Sequence, residues 1–126
     1  MDIELPDKKG LLLESYGAEE FCKDGCSRFP ELAEELYENE EFLHAQISIL
    51  AQFVMSSLEE GKISRAQSVC SFIEEALCKG RAVSEIRNAV AQSFISIEEL
   101  ERTTLGHKII KELPPTLENI LVTGFK

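Results

Sequence analysis

The chain has 126 residues with 23 acidic against 13 basic side chains, a formal net charge of -10, and 44% apolar residues without a tryptophan. That length suits one domain over 1–126 with a real core. The charge excludes the basic footprint that nucleic acid or an anionic membrane surface requires, and leaves a basic protein as the complementary partner.

The amino terminus, MDIELPDKKG, has neither the basic start nor the long apolar run of a signal peptide, so the expected location is cytoplasmic. Residues 1–16 read as a short helix around Leu11-Leu12-Leu13 or as an extended arm. A short helix follows over Ala18–Lys23 and ends near Asp24-Gly25. Pro30 suits the first turn of the next helix, about Pro30–Asn39. Its Glu31, Glu34, Glu35 and Glu38 share one face at helical spacing, while Leu32, Ala33 and Leu36 share the other. Four like charges at i, i+3, i+4 and i+7 repel by a few tenths of a kcal/mol per pair. Continued by Glu40 and Glu41, the stripe is either a solvated face or an electrostatic docking surface.

The stretch FLHAQISILAQFVMSSL, Phe42–Leu58, carries no formal charge, and its apolar residues cover about half of a helical circumference. It is the expected central helix, about 40–60, ended by Gly61 in a left-handed conformation. Its remaining side is small or neutral: Ala45, Ser48, Gln52 and Ser56. The run is short for a bilayer and contains Gln, Ser and His, so a membrane span is not expected. Gln46 lies within the apolar arc, where a buried amide needs partners or costs roughly 1–3 kcal/mol. An interrupted backbone such as the loop after Gly80 could supply them; a ligand in a pocket is the alternative.

Ser64, three residues before Gln67, has capping-box spacing and predicts a helix over Arg65–Lys79 with Ala66, Val69, Cys70, Ile73, Ala76 and Leu77 inward. Lys79 and Gly80 suit its end. Ser84 caps a helix over Glu85–Glu101 with Ile86, Ala89, Val90, Phe94, Ile97 and Leu100 inward. Its Glu98, Glu99 and Glu101 then stand at a helix C-terminus, where negative charge is unfavourable. Segments 61–77 and 80–100 share a Gly-basic-Ser opening and an apolar-Glu-Glu ending, but their unequal lengths argue against a true repeat. Thr103, Thr104 and Gly106 loosen the chain before a short helix at Lys108–Glu112, halted by Pro114-Pro115. A last helix spans about Thr116–Thr123 and ends at Gly124. No strand-like alternation occurs beside turn signals. The fold class is all-α, a bundle or short stack of antiparallel hairpins with five to seven helices around the central one.

Chemical constellations are sparse. A di-iron bundle needs two Glu-x-x-His pairs, and Glu41-x-x-His44 stands alone. His44 reads as a hydrogen-bonded residue at the margin of the central helix. Cys22-x-x-x-Cys26 lacks zinc-knuckle spacing, and no histidine is near a cysteine in sequence to activate a thiol. Cys70, on an inner face, suits a reduced packing residue. The seven glycines are scattered singly, so no phosphate loop exists. No enzyme, cofactor or metal is expected.

The chain resembles small all-helical immunity proteins of bacterial toxin–antitoxin competition systems, including contact-dependent growth inhibition. The likeness lies in EEFLHAQISILAQFV, a Gly-ended turn, a capped helix ending SFIEEAL, another containing SFISIEEL, and a closing KELPPTL, over roughly residues 30–121. The resemblance implies a cytoplasmic, non-enzymatic, acidic protein that binds one cognate toxin domain, frequently a basic nuclease, and occludes its active site. Toxin-facing residues differ from pair to pair, so no site is carried over. The partner-binding candidates come from charge: Glu31, Glu34, Glu35, Glu38 and Glu41, with Glu98, Glu99 and Glu101. The competing reading is a HEAT-like helical adaptor with no inhibitory role.

Overall fold

The uncharged central stretch folds as one helix, Leu43–Glu59. In this computed structural model, residues 17–78 and 84–123 are described. They contain no strand and eight helices. These are α1 (Ala18–Arg28), α2 (Ala33–Glu38) after a 3-10 turn at Pro30–Leu32, α3 (Leu43–Glu59), α4 (Ile63–Leu77), α5 (Ser84–Ser93), α6 (Ile97–Glu101), α7 (Thr104–Lys111) and α8 (Pro115–Thr123). The arm over 1–16, the stop at Lys79-Gly80, the Ser84 side chain and the end at Gly124 lie outside the described residues.

Helix α3 packs between α4 and α5, and its first turns touch α1 and α2. The wide apolar arc is used on both sides: Leu43, Ile47, Leu50, Val54 and Leu58 are buried with Ile73 and Val90 in one cluster. Phe42 departs from the expected arc. It precedes the helix as its N-cap and is 61% exposed. Gly61 adopts φ +77. Around it the amide of Lys62 donates to the Ser57 carbonyl (2.7 Å) and that of Gly61 to the Leu58 carbonyl (3.1 Å), a Schellman closure.

That closure delivers the chain directly into α4 at Ile63, so Ser64 falls inside the first turn. The expected Ser64–Gln67 capping box does not form, and Lys62 occupies the N-cap without a side-chain bond. Gln67 reaches Glu112 instead. Glu74, on the outer side of α4, caps α8 from another helix. The amides of Leu117 and Thr116 donate to its two carboxylate oxygens at 2.9 and 3.2 Å.

The largest departure is in the helix expected over Glu85–Glu101. It breaks after Ser93, and Ser96 starts α6. The Glu99 amide donates to Ser96 Oγ at 3.1 Å, and the Ser96 amide donates to the Glu99 carboxylate at 3.1 Å. This reciprocal box offers the backbone a better alternative than helical continuation. Ile95 takes the buried position near the break, while Phe94 and Ile97 are only half-buried. The next helix also begins early. Thr103 Oγ1 accepts from the Gly106 amide at 2.8 Å, and α7 runs from Thr104. Gly106 does not loosen the chain; a Cβ there would stand 1.9 Å from the Leu100 carbonyl oxygen, so glycine lets α6 and α7 meet at backbone distance.

Leu50 has 0% exposure in the middle of α3. Leu50→Ala is expected to cost about 2–5 kcal/mol in a denaturant titration, as for an enclosed core leucine. A loss under about 1 kcal/mol would mean that α3 is not the central packing element.

Candidate functional site

An acidic lobe is built by α1, the 3-10 turn and α2. Phe21, Cys22, Phe29, Leu32 and Leu36 are buried beneath it. Phe21 and Phe29 both pack on Phe72 of α4, tilted at a ring-centroid distance of 5.0 Å and edge-to-face at 5.6 Å respectively. Arg28 adds an ion pair to Glu75 of α4 at 2.8 Å and lies over the Phe72 ring. With Leu32 and Leu36 facing inward, helical geometry turns Glu31, Glu34, Glu35 and Glu38 to solvent, and Glu41 is exposed in the following turn. Among the described residues no cation pairs with any of these five.

Charge is concentrated here. Residues 18–42 hold nine carboxylates against two cations, a net -7 of the chain's -10. Residues 43–126 hold ten against nine and are nearly balanced. Two large side chains stand exposed in the same lobe, Tyr37 at 66% and Phe42 at 61%. Isolated exposed aromatics are ordinary, but rigid aromatics ringed by charge are the composition of a binding centre.

Gln46 fixes this surface from below. Its side chain has 0% exposure. Nε2 donates toward three backbone carbonyls: Ala18 at 3.0 Å, Asn39 at 3.1 Å and Glu40 at 3.1 Å. Two N–H groups therefore serve three acceptors in a shared arrangement, joining the start of α1 and the turn after α2 to the first turns of α3. The partner is the Asn39-Glu40 turn and α1, not the loop after Gly80 that the sequence suggests. The turn itself is closed by the Phe42 amide donating to the Asn39 carbonyl at 2.9 Å.

The second acidic group has a different setting. Glu98, Glu99 and Glu101 are exposed on α6, which packs mainly on α7. Glu98 and Glu99 occupy a helix's first turn, where negative charge is favourable. The break at 94–96 thus reverses the expected conflict with the helix dipole for Glu98 and Glu99, while Glu101 remains at the helix end, and Glu99 has a capping task. Ser96-x-x-Glu99 was the sequence signal for it. Glu99 also borders a groove of about 430 Å³ beside Ser48, Gln52 and Ser56 of α3, opened where α6 diverges.

His44 is exposed at the margin of α3, with Nδ1 2.9 Å from Ser93 Oγ at the end of α5. Cys22 and Cys26 stand one turn apart on α1, their sulfurs 3.9 Å apart. Burial, then the Cys26 thiol and Glu40, push Cys22 up to about 11. Burial alone pushes Cys70 up to about 12, consistent with a packing thiol. Among the described residues no three His, Cys, Asp or Glu side chains converge as a metal ion needs, and no helix is long and apolar enough to cross a membrane.

Gln46→Glu tests the carbonyl cluster. Burial against three carbonyls raises the folded-state pKa of the new carboxyl above its unfolded value of about 4.3. Such a group contributes its stability below the unfolded pKa and loses it as pH rises through the folded pKa. At pH 7 the variant is expected to lose about 3 kcal/mol relative to the parent, with the deficit shrinking toward about pH 4. Equal deficits in denaturant titrations at both pH values would contradict this role.

Comparison with curated proteins and with solved structures returns no match. One family, described as Domain of unknown function (DUF7674), matches residues 25–125. The matched span runs from the end of α1 through α2 and the Gln46-braced turn to the last helix. The chain belongs to this DUF7674 family.

Proposed function

We propose that this protein is a cytoplasmic, non-enzymatic immunity protein that neutralises a cognate toxin domain, a basic nuclease, by occluding its active site. The observation that carries the reading is the concentration of net charge -7 in residues 18–42, where Glu31, Glu34, Glu35, Glu38 and Glu41 stand exposed around Tyr37 and Phe42 with no cation partner among the described residues. A nuclease cleft is cationic because it holds phosphates. A rigid array of carboxylates can take the phosphates' place there, while Tyr37 and Phe42 supply the desolvated centre that slows release. The inhibitory role is taken from the sequence likeness to immunity proteins, not from the DUF7674 match, and the chemistry of recognition from the surface. The lobe is the favoured face, and Glu98, Glu99 and Glu101 are secondary, since the first-turn placement of Glu98 and Glu99 is accounted for locally.

A second reading, a helical adaptor without an inhibitory task, draws on the groove between α3 and α5–α6, which could seat a partner segment.

Charge reversal separates the two. Glu34→Lys, Glu35→Lys and Glu38→Lys together are expected to slow association with the basic partner by about 10-fold or more at low salt, with little effect on dissociation. The gap to the parent closes as ionic strength rises past about 0.15 M. Tyr37→Ala acts the other way, raising the dissociation rate by about 5-fold to 30-fold (about 1–2 kcal/mol) with association nearly unchanged. Stopped-flow and surface-binding kinetics read both. Binding insensitive to the triple reversal but abolished by changes in the α3/α5–α6 groove would favour the adaptor.

A further inference from the structure

Cys22 and Cys26 occupy one face of α1, and that face carries α2. The Cys22 thiol donates to the Leu36 carbonyl at 3.4 Å and the Cys26 thiol to the Ala33 carbonyl at 3.5 Å. Both acceptors belong to the acidic helix. Cys22 is buried; Cys26 is half-exposed and lines, with Glu20, Tyr37 and Glu40, an open cavity of about 330 Å³. Between them lies Gly25, the weakest helix former in the turn, seated where a Cβ would stand 3.2 Å from Leu36 Cδ1.

We propose that Cys22 and Cys26 form a thiol pair that closes to a reversible disulfide within α1, and that closure loosens α2 and its acidic face. The oxidant is a low-molecular-weight disulfide. Cys26, open to the cavity, attacks it as thiolate and forms a mixed disulfide, releasing one small thiol. Cys22 then attacks the Cys26 sulfur and expels the second small thiol. Two protein thiols lose two electrons, the external disulfide gains them, and the two protons leave with the small thiols.

The geometry gives closure a structural consequence. Cβ atoms at i and i+4 of a helix are about 5–6 Å apart. A disulfide needs about 3.5–4.5 Å. The turn containing Gly25 must therefore deform, and the bond is strained and readily reduced. Closure also removes both S–H donors from the α2 carbonyls. A helix of six residues has little stability of its own, so it depends on these contacts and on Leu36 burial.

The test uses the full chain and oxidised glutathione, read by peptide mapping of the monomer and by amide hydrogen exchange. The exposed Cys78 is the internal control for reaction and is expected to carry a glutathione adduct. The expected result is a Cys22–Cys26 disulfide, about 10-fold faster exchange over residues 33–38 with 63–77 unchanged, and recovery with dithiothreitol. A stable glutathione adduct on Cys26 beside free Cys22, or both thiols free while Cys78 is modified, would overturn the pairing. A disulfide with unchanged exchange over 33–38 would overturn the coupling to α2.

Discussion

The acidic surface of this protein depends on one buried amide. Gln46 stands in the apolar arc of α3, where an unpaired polar group is costly, and its Nε2 answers three carbonyls, two of which, Asn39 and Glu40, lie in a turn outside any helix. Two of them belong to the turn between α2 and α3, and the third opens α1. Without that donor, three carbonyl dipoles would converge in a dry site. The amide thus does more than stabilise. It sets where α1, α2 and α3 meet, and so fixes the orientation of Glu38, Glu41, Tyr37 and Phe42.

This bracing matters because α2 opposes its own formation electrostatically. Its carboxylates repel, none has a cation partner among the described residues, and six residues are too few for a self-supporting helix. Leu32 and Leu36 hold it from the inside, each contributing about 1.5–3 kcal/mol of burial. The Phe21–Phe72–Phe29 cluster and the Arg28–Glu75 pair tie the platform to α4. Helices α3–α8 act as scaffold. This concentration of like charge on one braced face is what the proposed encounter with an oppositely charged partner rests on.

Helix content, the central role of α3, the Gly61 stop and the inward faces of α2, α4 and α5 were legible because each rests on local periodicity or on one residue's backbone preference. Two kinds of information were not. One was competition between local signals. Ser84 and Ser96 can both start a helix, and the reciprocal Ser96–Glu99 bonds decide for a break that apolar spacing alone conceals. Ser64 lost the same competition because the Schellman closure at Gly61 puts the N-cap at Lys62, two residues earlier. The other was tertiary identity. That Gln46 is buried was readable from its place in the arc, but its acceptors lie up to 28 residues away in sequence. Likewise, Glu74 reads as a surface residue until α8 brings its bare amides to it. Of the site, the Glu31–Glu41 stripe was readable, whereas the exposure of Tyr37 and Phe42 became visible only with the fold.

The most direct test of this account is an amide chemical-shift map of the chain, recorded by NMR as the basic protein retained from its native host is titrated in. The account places the perturbed amides over residues 31–42, with the Gln46 side-chain NH2 resonances shifting in concert because they hold that turn. Shifts confined to α3, α5 and α6 around the groove, with residues 31–42 unmoved, would contradict it.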